Sequence, residues 1–198
     1  MVWFRQDLRL SDNPALRAAA ASGEVLPIYI LDDNNADSWR MGSASRVWLH
    51  HSLTDLNQAL GGQLRFFRGD ALRIIARLVA SLPIEAVFWN RCYEPWRRKR
   101  DTEIKNALKV EDVEVRSFNA SLLWEPWTVQ KSDGSPYRVF TPYYQKGCLA
   151  LPAPEQPLSP PDELICYRQD LEDSGPLSTL ALLPDENWHR TLIANWTV

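Results

Sequence analysis

Cysteine is scarce in this chain: Cys92, Cys148 and Cys166 are three in 198 residues, with no Cys-x-x-Cys pair. That spacing argues against a disulfide framework and against a zinc site. It fits a reducing compartment, so the cytoplasm is the expected location. Histidine is as rare, also three residues. His50 and His51 are neighbours on a helical pattern and so face different ways. No acid or cysteine stands at ligand spacing from them, so no metal is expected, and no Ser-His-Asp arrangement is suggested. Glycine numbers only 8. Neither G-x-x-x-x-G-K-[ST] nor G-x-G-x-x-G occurs, which counts against an NTPase and a dinucleotide dehydrogenase. No apolar run approaches the roughly 20 residues of a membrane helix, and Met1 leads directly into strand residues without a signal segment. An excess of positive charge is missing too. The net charge is −3 and the pI about 5.7, so the chain has no global attraction to nucleic acid.

What is present is tryptophan, nine residues, and a hydrophobic content of 45%. Most tryptophans are expected to pack, because large aromatics dominate cores. Up to about residue 118, short apolar runs alternate with runs of helical period. Strands are predicted at 2–4, 25–31, 64–67, 86–89 and 113–118. The run Val25 to Leu31 is apolar almost throughout, as in strands buried on both faces. Helices are predicted at 13–21, with Asn13 as cap and Pro14 in the first turn, and at 43–60, stopped by Gly61-Gly62. A third starts at the Asp70 cap and a fourth runs from Pro95 to Lys109. Five strands alternating with four helices imply an α/β fold: a Rossmann-like, doubly wound, five-stranded parallel sheet with helices on both faces. Beyond about residue 119 the periodicity fades and prolines accumulate. An irregular, Pro-rich extension is expected to wrap the domain and lead away from it. The closing Trp-Thr-Val stretch shows no terminal helix and reads as a cut.

Two loops carry the unusual polar residues. Arg5 to Ser11 follows the first strand and alternates Arg, Asp and Arg. Asn90 to Asp101 follows the fourth strand and sets an amide, a carboxylate and a guanidinium cluster beside Tyr93 and Trp96. In a doubly wound sheet, strands one and four are the expected neighbours where chain order reverses, and ligands bind in that crevice. Such a set suits a flat, polar, conjugated ligand. Arg46 opens the helix after strand two towards the same side. The plain alternatives are a surface ion-pair network for Arg5, Asp7, Arg9 and Asp12, and a solvated basic face for Arg98 and Lys99. Tight DNA binding by the run Arg97 to Arg100 is the weaker alternative.

The opening, Val2-Trp3-Phe4-Arg5-Gln6-Asp7-Leu8-Arg9-Leu10-Ser11-Asp12-Asn13-Pro14-Ala15-Leu16, resembles the W-F-R-x-D-L-R-L-x-D-N-x-A-L start of the DNA photolyase and cryptochrome family. The strand-four segment through Tyr93-Glu94-Pro95-Trp96 to Arg100-Asp101 is similar as well. So is Tyr137-Arg138-Val139-Phe140-Thr141-Pro142-Tyr143. The resemblance covers most of residues 1 to 150. It implies an antenna-binding α/β domain, residues 1–130, then a wrapping extension and interdomain linker, 131–198. In that family a C-terminal helical domain binds FAD, carries the electron-transferring tryptophans and docks the flipped pyrimidine dimer. The expected partners are therefore that helical FAD domain and, through it, damaged DNA. The chain is expected to be monomeric, without a membrane, and to hold no FAD of its own. Carried across, the chromophore-binding candidates are Arg5, Arg46, Asn90, Glu94 and Arg97. Folate-binding members carry Asn-Glu where Trp96-Arg97 stand here. Together with the Glu94-Pro95-Trp96 pattern and Arg46 in Ser45-Arg46-Val47, this favours a deazaflavin or FMN over methenyltetrahydrofolate, an empty site being the third outcome. An antenna passes excitation through space, so no catalytic residue is assigned. The expected function is the antenna domain of a photolyase that repairs cyclobutane pyrimidine dimers. The alternatives are the same domain of a signalling cryptochrome and a free-standing nucleotide-binding module.

Overall fold

Apolar runs and capped amphipathic runs alternate, and in the computed structural model, which describes residues 1–186 and 188–195, they become strands and helices in the same order. The strands are β1 (Val2–Phe4), β2 (Pro27–Leu31), β3 (Arg65–Arg68), β4 (Ala86–Asn90) and β5 (Glu114–Phe118). All pair in parallel, in the order β3-β2-β1-β4-β5, so chain order reverses between β1 and β4. The helices are α1 (Pro14–Ser22), α2 (Ser43–Ala59), α3 (Ala71–Ser81) and α4 (Pro95–Val110).

Successive strand residues face opposite sides of a sheet, and that alternation divides the core in two. Val2, Phe4, Tyr29, Leu31 and Phe88 pack against α1 and α2 through Leu16, Leu49, Leu53 and Leu56. Trp3, Ile28, Ile30, Val87 and Trp89 pack against α3 and α4 through Ile75, Leu78, Ile104 and Leu108. Each such side chain, fully buried, contributes roughly 1.5–3 kcal/mol. The predicted Rossmann-like, doubly wound sheet with helices on both faces is therefore the observed one.

Local chemistry sets the element ends. The Asn13 side chain accepts from the Leu16 amide at 3.0 Å and Asp70 from the Arg73 amide at 2.9 Å, capping α1 and α3. Gly61 and Gly62 follow α2 with φ of +62° and +79°, a conformation that excludes most side chains.

The extension stays in contact with the domain well beyond β5. Asp12 and Leu158 are joined by a 2.7 Å backbone hydrogen bond, Val25 bridges Cys166, and Phe66 bridges Gly175. Leu180 and Leu182 then bury themselves in the α1–α2 core layer. Two expectations are corrected here. The segment 140–150 is coiled into consecutive short helical turns, and Trp188–Ala194 forms a helix where none was predicted. Both pieces are too short for a periodic apolar stripe to register in the sequence. Residues 196–198 of the closing stretch lie outside the described residues.

Candidate functional site

The loop after β1 folds inwards. Arg5 is buried, and its guanidinium donates to the Asp101 carboxylate at 2.5 Å and to the Asn90 carbonyl. Asp7, also buried, accepts from the Arg5 amide at 2.9 Å and from Asn90 Nδ2 at 2.5 Å. Asn90 Nδ2 also donates to Asn13 Oδ1, at 2.7 Å, and its Oδ1 accepts from the Ala15 amide at 3.1 Å. One side chain thus ties the end of β4 to the loop after β1 and to the start of α1. The surface network envisaged for Arg5 and Asp7 is instead buried; Arg9 and Asp12, part-exposed 3.6 Å apart, keep its surface character.

This stitching fills the space between the carboxyl ends of β1 and β4. The open cleft lies beside it, over the carboxyl ends of β1 and β2, with a volume of about 640 Å³. Its walls come from the loops after β1 and β2, from α2 through Ser45, Trp48 and Ser52, and from the first turns of α4 through Trp96, Arg97 and Arg100. Tryptophans and arginines alternate around it. The Arg100 guanidinium lies 4.6 Å from the Trp3 ring centre and 5.1 Å from that of Trp96, while Arg97 lies 4.9 Å from Trp96. Cation–π contact of this kind holds both partners in place. Arg100 also donates to Asp32 at 3.3 Å and to Asp101 at 3.1 Å. The Tyr29 hydroxyl group stays neutral, because burial raises its pKa above the usual phenol value. Two buried donors on the lining residues, Trp3 Nε1 and Arg5 Nε, have no hydrogen-bond partner among the described residues. An unsatisfied buried donor costs about 1–3 kcal/mol.

Of the five residues carried over from the family pattern, the structure brings Arg5 and Arg97 to the cleft wall. Arg46, Asn90 and Glu94 are not among the residues that line it. Arg46 is committed to Asp33 at 2.8 Å and to the Met41 carbonyl at 3.0 Å, bracing the segment between β2 and α2. Asn90 is consumed by the buried network. Glu94 lies at the rim, accepting from Gln6 Nε2 at 3.3 Å with Arg97 3.7 Å away. Helical geometry is the reason: α4 begins just after Glu94, so Arg97 and Arg100 share one face with Trp96 while the preceding loop passes beside it. Tyr29, Asp32, Asp33, Trp39 and Trp48 were missed by sequence reasoning. Their signal was weak, since each sits in an ordinary strand end, turn or helix.

Fold and cleft together define a class: a doubly wound α/β domain with a ligand-sized cavity at the carboxyl ends of its strands, where such sheets bind ligands. The DNA photolyase family model matches residues 1–162, and the chain belongs to that family. It is 39% identical to the deoxyribodipyrimidine photo-lyase of Agrobacterium fabrum over 202 aligned residues, covering 100% of this chain and 41% of that protein. It is 38% identical to cryptochrome-1 of Arabidopsis thaliana over 170 residues, 83% of this chain and 25% of that one. The crystal structure of a class III photolyase from Agrobacterium tumefaciens superposes with a TM-score of 0.87 at 38% identity, over 99% of this chain and 41% of that one. An archaeal photolyase from Sulfolobus tokodaii, solved with two FAD molecules, shares the fold at TM-score 0.71 and 20% identity, over 100% of this chain and 46% of that one. The chain therefore spans about two fifths of the length of the Agrobacterium photolyases it matches.

Proposed function

We propose that this chain is the antenna domain of a light-driven deoxyribodipyrimidine photo-lyase, and that its cleft holds a flat, conjugated chromophore. The carrying observation is the cleft itself. Its volume of about 640 Å³ suits a heterocycle of flavin size, and Trp3, Tyr29, Trp96 and Arg97 line it. The Trp96 ring and Tyr29 would flank the heterocycle, and Arg97 would take its polar edge or acidic tail. The chromophore supplies light absorption and passes excitation through space to a flavin. The residues of this chain supply orientation and exclude water. Repair itself, with FAD and the damaged DNA, belongs in this reading to a helical domain that packs beside this one, and the chain alone is not catalytic. The residues at Trp96-Arg97 favour a deazaflavin or FMN over methenyltetrahydrofolate.

Fluorescence titration of the wild type and Arg97→Ala with a deazaflavin, FMN and methenyltetrahydrofolate tests both parts. A charged hydrogen bond is worth about 1.5–3 kcal/mol, so Arg97→Ala weakens the chromophore by roughly tenfold or more. Tightest binding by the folate overturns the chromophore class. Indifference of every ligand to Arg97→Ala overturns the site.

The similarity to plant cryptochrome-1, 38% identity, supports a second reading in which the same domain serves a photoreceptor. Light-dependent repair by the full-length protein separates the two.

A further inference from the structure

On the face of α4 opposite the cleft lies a separate pocket of about 130 Å³, closed below by β4 and bordered by the loop that follows it. Trp89, Arg91, Arg98, Thr102, Lys105 and Trp127 line it, and none of them lines the cleft. Its carboxylates are already spent. Asp101 is held by Arg5 and Arg100, and Glu125 takes the charge of Arg91 at 2.6 Å. Arg98 and Lys105 have no ion-pair partner among the described residues. The Lys105 ammonium lies 5.7 Å from the Trp89 ring centre and donates to Ser117 Oγ at 2.9 Å, which leaves N–H groups over from its three. Trp89 is fully buried, yet its indole Nε1 has no hydrogen-bond partner among the described residues. Two cations without an ion-pair partner among the described residues thus border one small hollow, beside a buried indole. A compact anion with several acceptor oxygens supplies what the cations lack.

We infer that this pocket binds a small oxyanion: inorganic phosphate or the phosphate of a small monoester. The space admits a tetrahedral anion. Exposed Arg98 and half-exposed Trp127 stand at its mouth, so the ion can enter from solvent. Burial and the neighbouring Arg91 lower the pKa of Lys105, and an anion at hand offsets both effects. Occupancy fastens α4 to the loop after β4 through charge-assisted hydrogen bonds.

Isothermal titration of the chain with inorganic phosphate and with glycerol phosphate tests this, with chloride at matched ionic strength as the blank. The expected result is saturable binding, about tenfold weaker in Arg98→Gln and in Lys105→Met and unchanged in Arg138→Gln, an exposed cation outside the pocket. Arg98 is exposed, so its variant keeps the test decisive if Lys105→Met fails to fold. Tighter binding of glycerol phosphate assigns a monoester, and tighter binding of inorganic phosphate assigns the free ion. Heats no larger than those of chloride overturn the site, as does an equal loss in Arg138→Gln.

Discussion

Arg5 concentrates the stability of the loop after β1. Its side chain is 4% exposed and its partner Asp101 10%. Deleting the cation leaves the buried Asp101 carboxylate to Arg100 alone and frees the Asn90 carbonyl. Breaking a buried pair in this way costs about 3–5 kcal/mol, so Arg5→Met is expected to lose that much in urea denaturation. A loss below about 1 kcal/mol shows that water replaces the guanidinium, and that the site is looser than its geometry. Tyrosines set the alkaline limit. Burial and a 2.6 Å hydrogen bond to Glu125 push the Tyr93 phenol up from 10.0 to about 12. The folded state then holds a proton that the unfolded state releases. The contribution is complete below pH 10 and is lost as pH rises towards 12. Tyr29 moves in the same direction through burial. Denaturation midpoints measured across that window should therefore fall less steeply in Tyr93→Phe than in the wild type. Parallel slopes would remove Tyr93 from the alkaline transition.

At the scale of elements, the extension behaves as part of the domain. The short helical turn Leu177–Leu180 sends Leu180, fully buried, into the layer formed by α1 and α2. Leu→Ala at such a site costs about 2–5 kcal/mol, and Leu180→Ala should unfold with a single transition weakened by that amount. A two-step melt with an unchanged main transition would mean that the extension folds separately, and that the boundary near residue 130 is also a boundary of cooperativity. The helices α1 to α4 were legible because their caps and stops are local: Asn13, Asp70, Pro95 and Gly61-Gly62 act on their own neighbours. The paths of 140–150 and 188–194 were not legible, because turns this short follow from packing against distant segments and not from their own period.

For the molecule as a whole, charge decides the behaviour towards DNA. A net charge of −3 leaves only the run Arg97 to Arg100 as a basic patch. The structure spends Arg97 and Arg100 on Glu94, Asp32 and Asp101. Two free cations support few phosphate contacts, and these weaken steeply with salt. Titration of labelled duplex at near-physiological salt is expected to show no sub-micromolar binding by this chain. A tight, salt-resistant complex would give the domain a direct role in holding DNA. Among the described residues no helix is long and apolar enough to cross a membrane.

The sequence by itself determined the five strands and helices α1 to α4, their order and the family. Strand runs, caps and turn glycines act over a few residues, and the motif from Trp3 to Leu16 is contiguous. It also pointed to the loops after β1 and β4 as the polar centre of the molecule. Only the tertiary structure decided what those polar groups do. Asn90 reads as a ligand group while its partners, Asp7 and Asn13 among them, are unknown, since those partners lie up to 83 positions away. Once the chain folds, their hydrogen bonds are spent on one another and the gap between β1 and β4 closes. The cavity is left beside them, walled by Trp3, Trp96, Arg97 and Arg100, whose guanidinium groups lie against the indole rings. A side chain's chemistry is written in the sequence, but whether that chemistry remains available depends on which distant partner reaches it first.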